Sequence, residues 1–166
     1  IVGRLKGGMG HVNVVTSVIF AGMSGSAVAD VVGMGKMSID MMIKDNRYPL
    51  SYAAAITAAT AVIGPIIPPS IPMVLYSIVS DASIGYLFLG GVVPGLIMAG
   101  AMMGLNTYTA HKLNVPLEEP VPLRELPGVT FRALPALLMP VILLAGIYGG
   151  ATTPTEAAAI AAAYAF

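Results

Sequence analysis

The sequence predicts an all-α integral membrane protein that contains a re-entrant helical hairpin and a broken transmembrane helix. Three observations lead to this fold class. The 166 residues are 57% hydrophobic and only 10% charged, well below the charge content of ordinary soluble domains. The charge-free stretches 48–80 and 82–110 each exceed the about 20 residues that cross a bilayer. Four prolines and a glycine interrupt the first of these stretches within Gly64–Pro72.

Residues 1–47 are predicted to form the hairpin, with basic flanks on the cytoplasmic side. Glycines and serines around Ser24-Gly25-Ser26 argue against one straight span. We therefore expect the chain to dip into the membrane, turn near these residues and return to the same side. This topology places every Lys and Arg on one side and leaves only Asp81 in the opposite loop. By the positive-inside rule, the basic side is cytoplasmic.

Residues 48–80 are predicted to form one membrane crossing that is unwound in its middle. A proline lacks an N–H and displaces the carbonyl four residues earlier. A carbonyl that loses its hydrogen-bond donor in this way costs several kcal/mol of free energy in hydrocarbon. It therefore persists only inside protein or beside a water-filled cavity. A simple proline kink is the alternative, but four prolines within eight residues favour an unwound functional segment. The carbonyls expected to lose their helical partners are those of Ala61, Gly64, Pro65 and Pro68.

The rest of the chain is predicted to contain one span, a connection and the beginning of a further helical region. Residues 81–110 hold the clearest membrane helix, with aromatic residues near both ends. Residues 111–132 are polar and proline-rich, which indicates a cytoplasmic connection. Residues 133–166 contain an apolar helix and then Thr153-Pro154-Thr155-Glu156, a capping box that starts a new helix. Because the chain opens at Ile1 and stops within a helical pattern, we expect an internal piece of a longer protein.

The hairpin turn and the unwound segment are the candidate binding elements. The hydroxyls of Ser24 and Ser26 suit a hard cation, whereas the N-terminus of the second hairpin arm suits an anion. A plain turn that needs small residues is the third interpretation, and the sequence leaves all three open. Asp30 follows Ser26 by about one helical turn. Intramembrane acids are usually functional, but this one can also offset a helix dipole, so we assign it a structural or supporting role.

Composition and motifs exclude several other function classes. The net charge is zero and no basic face is present, which excludes nucleic acid as a partner. The chain has no cysteine, no phosphate-binding loop and no hydrolase serine motif, so neither an enzyme nor a bound organic cofactor is expected. His11 and His111 offer no metal-ligand spacing and are interpreted as boundary residues. No charged ring or repeated filter favours a channel.

Several sequence runs, taken in order, resemble one protein family. The principal runs are GHVNV at 10–14, FAGMSGSAVAD at 20–30 and GPIIPPSIPM at 64–73, with support from 83–91 and 153–158. Together they cover nearly the whole chain and resemble the large membrane subunit of tripartite ATP-independent periplasmic (TRAP) transporters, the DctM-like family. The resemblance implies the first half of an inverted-repeat, elevator-type transporter, with the start of the second repeat at 133–166. The second hairpin of the family is absent from this sequence.

The resemblance also implies an activity, partners and a coupling ion. Family members import organic acids such as C4-dicarboxylates and sialic acid by sodium symport across the bacterial inner membrane. They work with a small membrane subunit and a periplasmic substrate-binding protein. The implied sodium ligands are Ser24 and Ser26, with the main-chain oxygens of Gly64, Ile67 and Pro69. Gly25 and Ser70 complete the implied binding residues, and Asp30, Pro65 and Pro68 support them.

Two other functions remain as alternatives. A stand-alone cation-coupled carboxylate transporter would work without a binding protein. A non-transporting membrane scaffold subunit would bind no ion at the broken helix, so sodium would leave its thermal stability unchanged.

Overall fold

The computed structural model describes residues 6–44, 47–115 and 126–165 of the chain. These residues form eight α-helices and one π-helical turn, and they contain no β-strand. The all-α class predicted from the sequence is confirmed for this part of the chain. In chain order the helices are α1 (Gly8–Ser24), α2 (Ala27–Asp30), α3 (Lys36–Ile43), α4 (Leu50–Ala61), α5 (Ile71–Ser80), α6 (Ile84–Lys112), α7 (Leu126–Tyr148) and α8 (Pro154–Ala165), with the π-helical turn Val31–Gly35 between α2 and α3.

The first two helices are joined by a tight turn at Gly25. Gly25 has a left-handed backbone with φ +59°, and its N–H donates to the Ala21 carbonyl at 3.2 Å, a common helix ending. Ser26 is extended and caps α2, because its hydroxyl oxygen accepts the Ala29 N–H. The Phe20 ring lies against Gly33 across the turn, so the two helical arms run side by side in opposite directions. The turn lies at the predicted position, while entry of this hairpin into a membrane stays a prediction.

The predicted break within residues 48–80 separates α4 from α5. Residues 62–70 lie between the two helices, and the Pro68–Pro69 peptide bond is cis. Two of the carbonyls expected to be free are hydrogen-bonded. The Ala61 carbonyl accepts the Gly64 N–H at 3.0 Å, and the Pro65 carbonyl accepts the Ser70 hydroxyl at 2.5 Å. The prediction was wrong for these two because a tight turn and a side chain supply donors that a helical count omits.

Helix α1 lies at the centre of the packing and contacts α2, α3, α4, α6 and α7. One apolar cluster joins α1 to α6 and to the segment that follows α4, through Val14, Ala21, Ile63 and Ala99. Buried polar pairs add to this packing, since the Asn13 amide donates to the Thr57 hydroxyl at 2.8 Å. The packing brings the hairpin turn and the broken helix together.

Among the described residues, one helix is long and apolar enough to cross a membrane, namely α6. It extends to Lys112, slightly beyond the predicted span. Helix α7 begins at Leu126, inside the predicted connection 111–132. Proline is tolerated in the first turn of a helix, so the proline at 127 does not mark a loop. Helix α8 starts at Pro154 with the predicted capping box, in which the Glu156 carboxylate accepts the Thr153 N–H at 2.8 Å.

Candidate functional site

The hairpin turn and the unwound segment meet through direct backbone contact. The Ile71 N–H donates to the Gly25 carbonyl at 3.3 Å. A Cβ on Gly25 would lie 2.4 Å from the Pro69 carbonyl oxygen, and a Cβ on Gly64 would lie 3.2 Å from the carbonyl carbon of Ser26. Both distances are shorter than ordinary van der Waals contact, so the two glycines allow the segments to approach this closely. We refer to this contact, between residues 24–26 and 64–71, as the tip junction.

The Asp30 carboxylate faces the tip junction from the second hairpin arm. Its side chain is buried, with 4% of its surface exposed. The Ser24 hydroxyl donates to Oδ1 at 2.5 Å. Oδ2 has no hydrogen-bond partner in the part of the chain that the structure describes, and it lies 2.8 Å from where a Cβ on Gly64 would be. A buried acid with one open oxygen therefore points at the unwound segment.

Main-chain oxygens of the unwound segment add further open acceptors. Within residues 6–44, 47–115 and 126–165, no hydrogen bond is donated to the carbonyls of Gly64, Ile67 or Pro69. Gly64 is buried, and the other two residues are half-buried. Unpaired carbonyls with restricted access to water need a partner, because burying them without one costs free energy. A hard cation is a partner that oxygen atoms of this kind suit.

Most of the site residues predicted from the sequence lie at the tip junction. The side chain of Ile67 is the exception, because it packs against the apolar cluster that contains Val14 and Ala99. Ser26 serves as a helix cap, and Ser70 caps α5 by accepting the Met73 N–H at 3.3 Å. The predicted residues at the junction are Ser24, Gly25, Ser26, Asp30, Gly64, Pro65, Pro68, Pro69 and Ser70.

A small cleft opens beside the tip junction. Its volume is about 250 Å³, slightly below the range of typical small-molecule pockets. The N-terminus of α5 contributes to its wall, and a helix N-terminus favours negatively charged groups. The cleft is lined by Met23, Ser24, Pro69, Ser70, Ile71, Val74 and Leu75.

Two glycines of α6 pack against the unwound segment. They were not among the site residues predicted from the sequence. A Cβ on Gly91 would lie 2.4 Å from the Ile66 carbonyl oxygen, and one on Gly95 would lie 2.5 Å from Cγ1 of Ile67. Their four-residue spacing is the signal that could have found them, since small residues at this spacing let membrane helices approach closely.

Comparison with known proteins finds relatives over the whole length of this chain. A family model described as the DctM component of the tripartite ATP-independent periplasmic transporter matches residues 1–166. The chain is 43% identical over 165 residues to the sialic acid TRAP transporter large permease protein SiaM of Vibrio cholerae, covering 99% of this chain and 38% of that protein.

Two further relatives carry names of other substrates. The C4-dicarboxylate TRAP transporter large permease protein DctM of Vibrio cholerae is 45% identical, covering 99% of this chain and 36% of the relative. The isethionate TRAP transporter permease protein DctMQ of Oleidesulfovibrio alaskensis is 43% identical, covering 98% and 26%. The chain thus spans well under half the length of each of these proteins. It belongs to the family of TRAP transporter DctM components.

Proposed function

We propose that this chain is part of the large permease subunit of a TRAP transporter that imports an organic acid by sodium symport. The three relatives described above are named for sialic acid, C4-dicarboxylates and isethionate. In this proposal the protein is a multi-pass component of the bacterial inner membrane. It works with a small membrane subunit and a periplasmic substrate-binding protein. Residues 1–47 form a re-entrant hairpin within the first half of an elevator-type inverted repeat.

The observation that carries the proposal is the set of open oxygen atoms at the tip junction. Sodium is a hard cation, and it would be held by the hydroxyls of Ser24 and Ser26 and by the unpaired carbonyls of Gly64, Ile67 and Pro69. The carboxyl group of Asp30 lies beside this set. When bound, sodium supplies positive charge that offsets the carboxylate and the carbonyl dipoles.

Coupling between sodium binding and substrate binding follows from the position of these oxygens on two separate elements. Ser24 and Ser26 belong to the hairpin turn, whereas the carbonyls belong to the unwound segment. A ligand that binds only when the two are together stabilises that arrangement. The cleft at the N-terminus of α5 is lined by two of these residues, Ser24 and Pro69, so an anionic group of the substrate would bind beside the ordered junction.

Transport by the full-length permease is the test of this function. The permease and its small subunit are reconstituted in liposomes, and uptake of labelled sialic acid, succinate and isethionate is measured with an inward sodium gradient, with and without the binding protein. Uptake that requires both supports the proposal. Uptake without the binding protein indicates a stand-alone carrier, and no uptake by folded protein under any gradient indicates a scaffold subunit.

Substitution of Ser26 connects this function to the tip junction. Ser26→Ala removes the N-cap of α2, which costs about 1 kcal/mol, and also removes one proposed sodium ligand. We expect the apparent sodium affinity in uptake to fall further than the amount of folded protein. Thr153→Ala removes the N-cap of α8, away from the junction, and is expected to leave sodium affinity unchanged. Equal loss of protein and activity in Ser26→Ala would contradict a role in sodium binding.

A further inference from the structure

Helix α6 presents two kinds of glycine. Gly91 and Gly95 are buried against the unwound segment, whereas Gly90, Gly100 and Gly104 are surrounded by open space, with no atom within 4 Å of an added Cβ. Because all five lie on the same helix, a Gly→Ala change at each one raises helix propensity by a similar amount, about 1 kcal/mol. Between the adjacent residues Gly90 and Gly91, both about one turn before Pro94, the main difference is the contact that the new methyl group makes.

We infer that Gly91 and Gly95 are positioning residues for the sodium site, and that they hold the carbonyls of the unwound segment in place from behind. This inference rests on the sodium site of the proposed function. Neither glycine contributes a ligand. Each one removes a side chain from the surface of α6, so that Ile66 and Ile67 can lie directly on the helix.

The contact of Gly91 is with main chain and cannot be relieved by a side-chain rotation. A Cβ there would lie 2.4 Å from the Ile66 carbonyl oxygen and 2.5 Å from Cε of Met73. The methionine can move aside because its side chain is flexible. The carbonyl oxygen can move only with its peptide unit, which is joined directly to Ile67, whose own carbonyl is a proposed ligand. Two prolines follow at 68 and 69 and restrict backbone adjustment further.

The contact of Gly95 is with a side chain. Its Cβ would lie 2.5 Å from Cγ1 and 3.3 Å from Cδ1 of Ile67. That isoleucine packs against the apolar cluster that contains Val14 and Ala99, which limits the space into which its side chain can move. Removing the isoleucine side chain removes the overlap. The structure therefore predicts that Ile67→Ala relieves Gly95→Ala, whereas no truncation of a side chain relieves Gly91→Ala.

Sodium-dependent thermal stability tests this inference without relying on transport. The full-length permease with its small subunit is purified in detergent, and its unfolding midpoint is titrated with NaCl at constant ionic strength in KCl. The variants are Gly90→Ala, Gly91→Ala, Gly95→Ala, Ile67→Ala and the double variant Gly95→Ala/Ile67→Ala. A ligand that binds the folded state raises its stability in proportion to the logarithm of its concentration over Kd, so the titration gives an apparent sodium affinity for each variant.

We expect the wild type and Gly90→Ala to give the same sodium titration. Displacing groups that support a metal ligand weakens metal affinity by about 10-fold to 100-fold, and Gly91→Ala is expected to fall in this range. Gly95→Ala is expected to weaken sodium binding less, and the double variant to return to the affinity of Ile67→Ala alone. If Gly91→Ala does not fold, the Gly95 and Ile67 pair decides the question.

Two results would overturn the inference, and they differ from failure of the proposed function. If the wild type responds to sodium and Gly91→Ala titrates like Gly90→Ala, the two glycines only pack the helix. If Gly95→Ala loses affinity but Ile67→Ala does not restore it, the steric explanation fails. A wild type that shows no sodium response overturns the sodium site itself.

Discussion

Replacing Ser24 by alanine tests whether the buried Asp30 carboxylate at the tip junction is ionised. The Ser24 hydroxyl donates to Oδ1 of Asp30 at 2.5 Å, while Oδ2 has no partner among the described residues. Ser24→Ala therefore leaves both carboxylate oxygens without a donor from this part of the chain. A hydrogen bond to a charged group contributes about 1.5–3 kcal/mol, compared with about 1 kcal/mol for a neutral pair.

Ser77→Ala is the matched control, because Ser77 is also half-buried and donates a hydrogen bond to a neutral acceptor, the Ala82 carbonyl, at 2.7 Å. Both variants remove one hydroxyl and one short hydrogen bond, and Ser24→Ala also removes the long bond that the Ser26 N–H donates to the Ser24 hydroxyl oxygen at 3.4 Å. If Asp30 is ionised, Ser24→Ala is expected to lower the unfolding midpoint of the full-length protein in sodium-free potassium buffer about twice as far as Ser77→Ala. The midpoint is measured by thermal unfolding in detergent.

Equal decreases in the two variants would refute this reasoning, since they would mean that Asp30 accepts the hydrogen bond as a neutral acid. The same pair of variants also reports on sodium. Because the Ser24 hydroxyl is a proposed ligand, the gap between the two midpoints is expected to widen when saturating NaCl replaces KCl. A gap that stays constant would place the Ser24 hydroxyl outside the sodium site.

Two further substitutions test the contacts that build the junction and its support. Gly25→Ala combines a strained φ of +59° with a Cβ that would lie 2.4 Å from a main-chain oxygen, so we expect a loss of about 2–4 kcal/mol, measured as a lower unfolding midpoint. Thr57→Val keeps the shape of the side chain but leaves the buried Asn13 amide without its acceptor. It is expected to cost about 1 kcal/mol in the same assay.

Each of these substitutions has a control in the same chain. Gly150 has a φ of +66° but open space around it, so Gly150→Ala isolates the backbone strain and is expected to lose about 1 kcal/mol. Thr109 is half-buried, and its hydroxyl donates only to the Leu105 carbonyl of its own helix, so Thr109→Val leaves no other side chain without a partner and is expected to be nearly neutral. If Gly150→Ala loses as much stability as Gly25→Ala, or Thr109→Val as much as Thr57→Val, the contact assigned to Gly25 or Thr57 contributes little.

The breaks between helices could be predicted from the sequence because their causes are local. A glycine flanked by serines tolerates the left-handed turn at Gly25, and prolines cannot continue the hydrogen-bond ladder of α4. Neither effect depends on distant residues. The turn and the unwound segment therefore lie where the composition of these short stretches indicated.

The identity of the unpaired carbonyls could be predicted only in part. A count of helical hydrogen bonds predicted that four carbonyls lack a donor. The prediction is correct for Gly64 and Pro68 among the described residues, but it is wrong for Ala61 and Pro65. The donors there are a turn N–H and the hydroxyl of Ser70. Their positions depend on the path of the chain after the helix ends, which a count of helical bonds does not contain.

Polar pairs between helices could not be predicted at all. His11 was interpreted as a boundary residue, yet it is 1% exposed and its Nε2 lies 3.1 Å from the Thr107 hydroxyl, 96 residues away. Similarly, Asn13 and Thr57 are 44 residues apart in sequence. Each of these side chains alone resembles an ordinary polar residue at a helix surface. Only the packing of α1 against α4 and α6 gives each one a partner.

The placement of Asp30 depends on a feature that helical periodicity does not reveal. Each residue of an α-helix turns the chain by about 100°, so a regular helix that buries Asp30 would also bury Met37 and Met41. These two are 48% and 44% exposed, and the buried residues that follow Asp30 are instead Gly35, Ser38 and Met42. The π-helical turn at 31–35 takes up one additional residue. It thereby allows α3 to pack on α4 while Asp30 still faces Gly64. The direction of the Asp30 side chain toward the tip junction therefore results from the π-helical turn. Such turns frequently accompany functional sites.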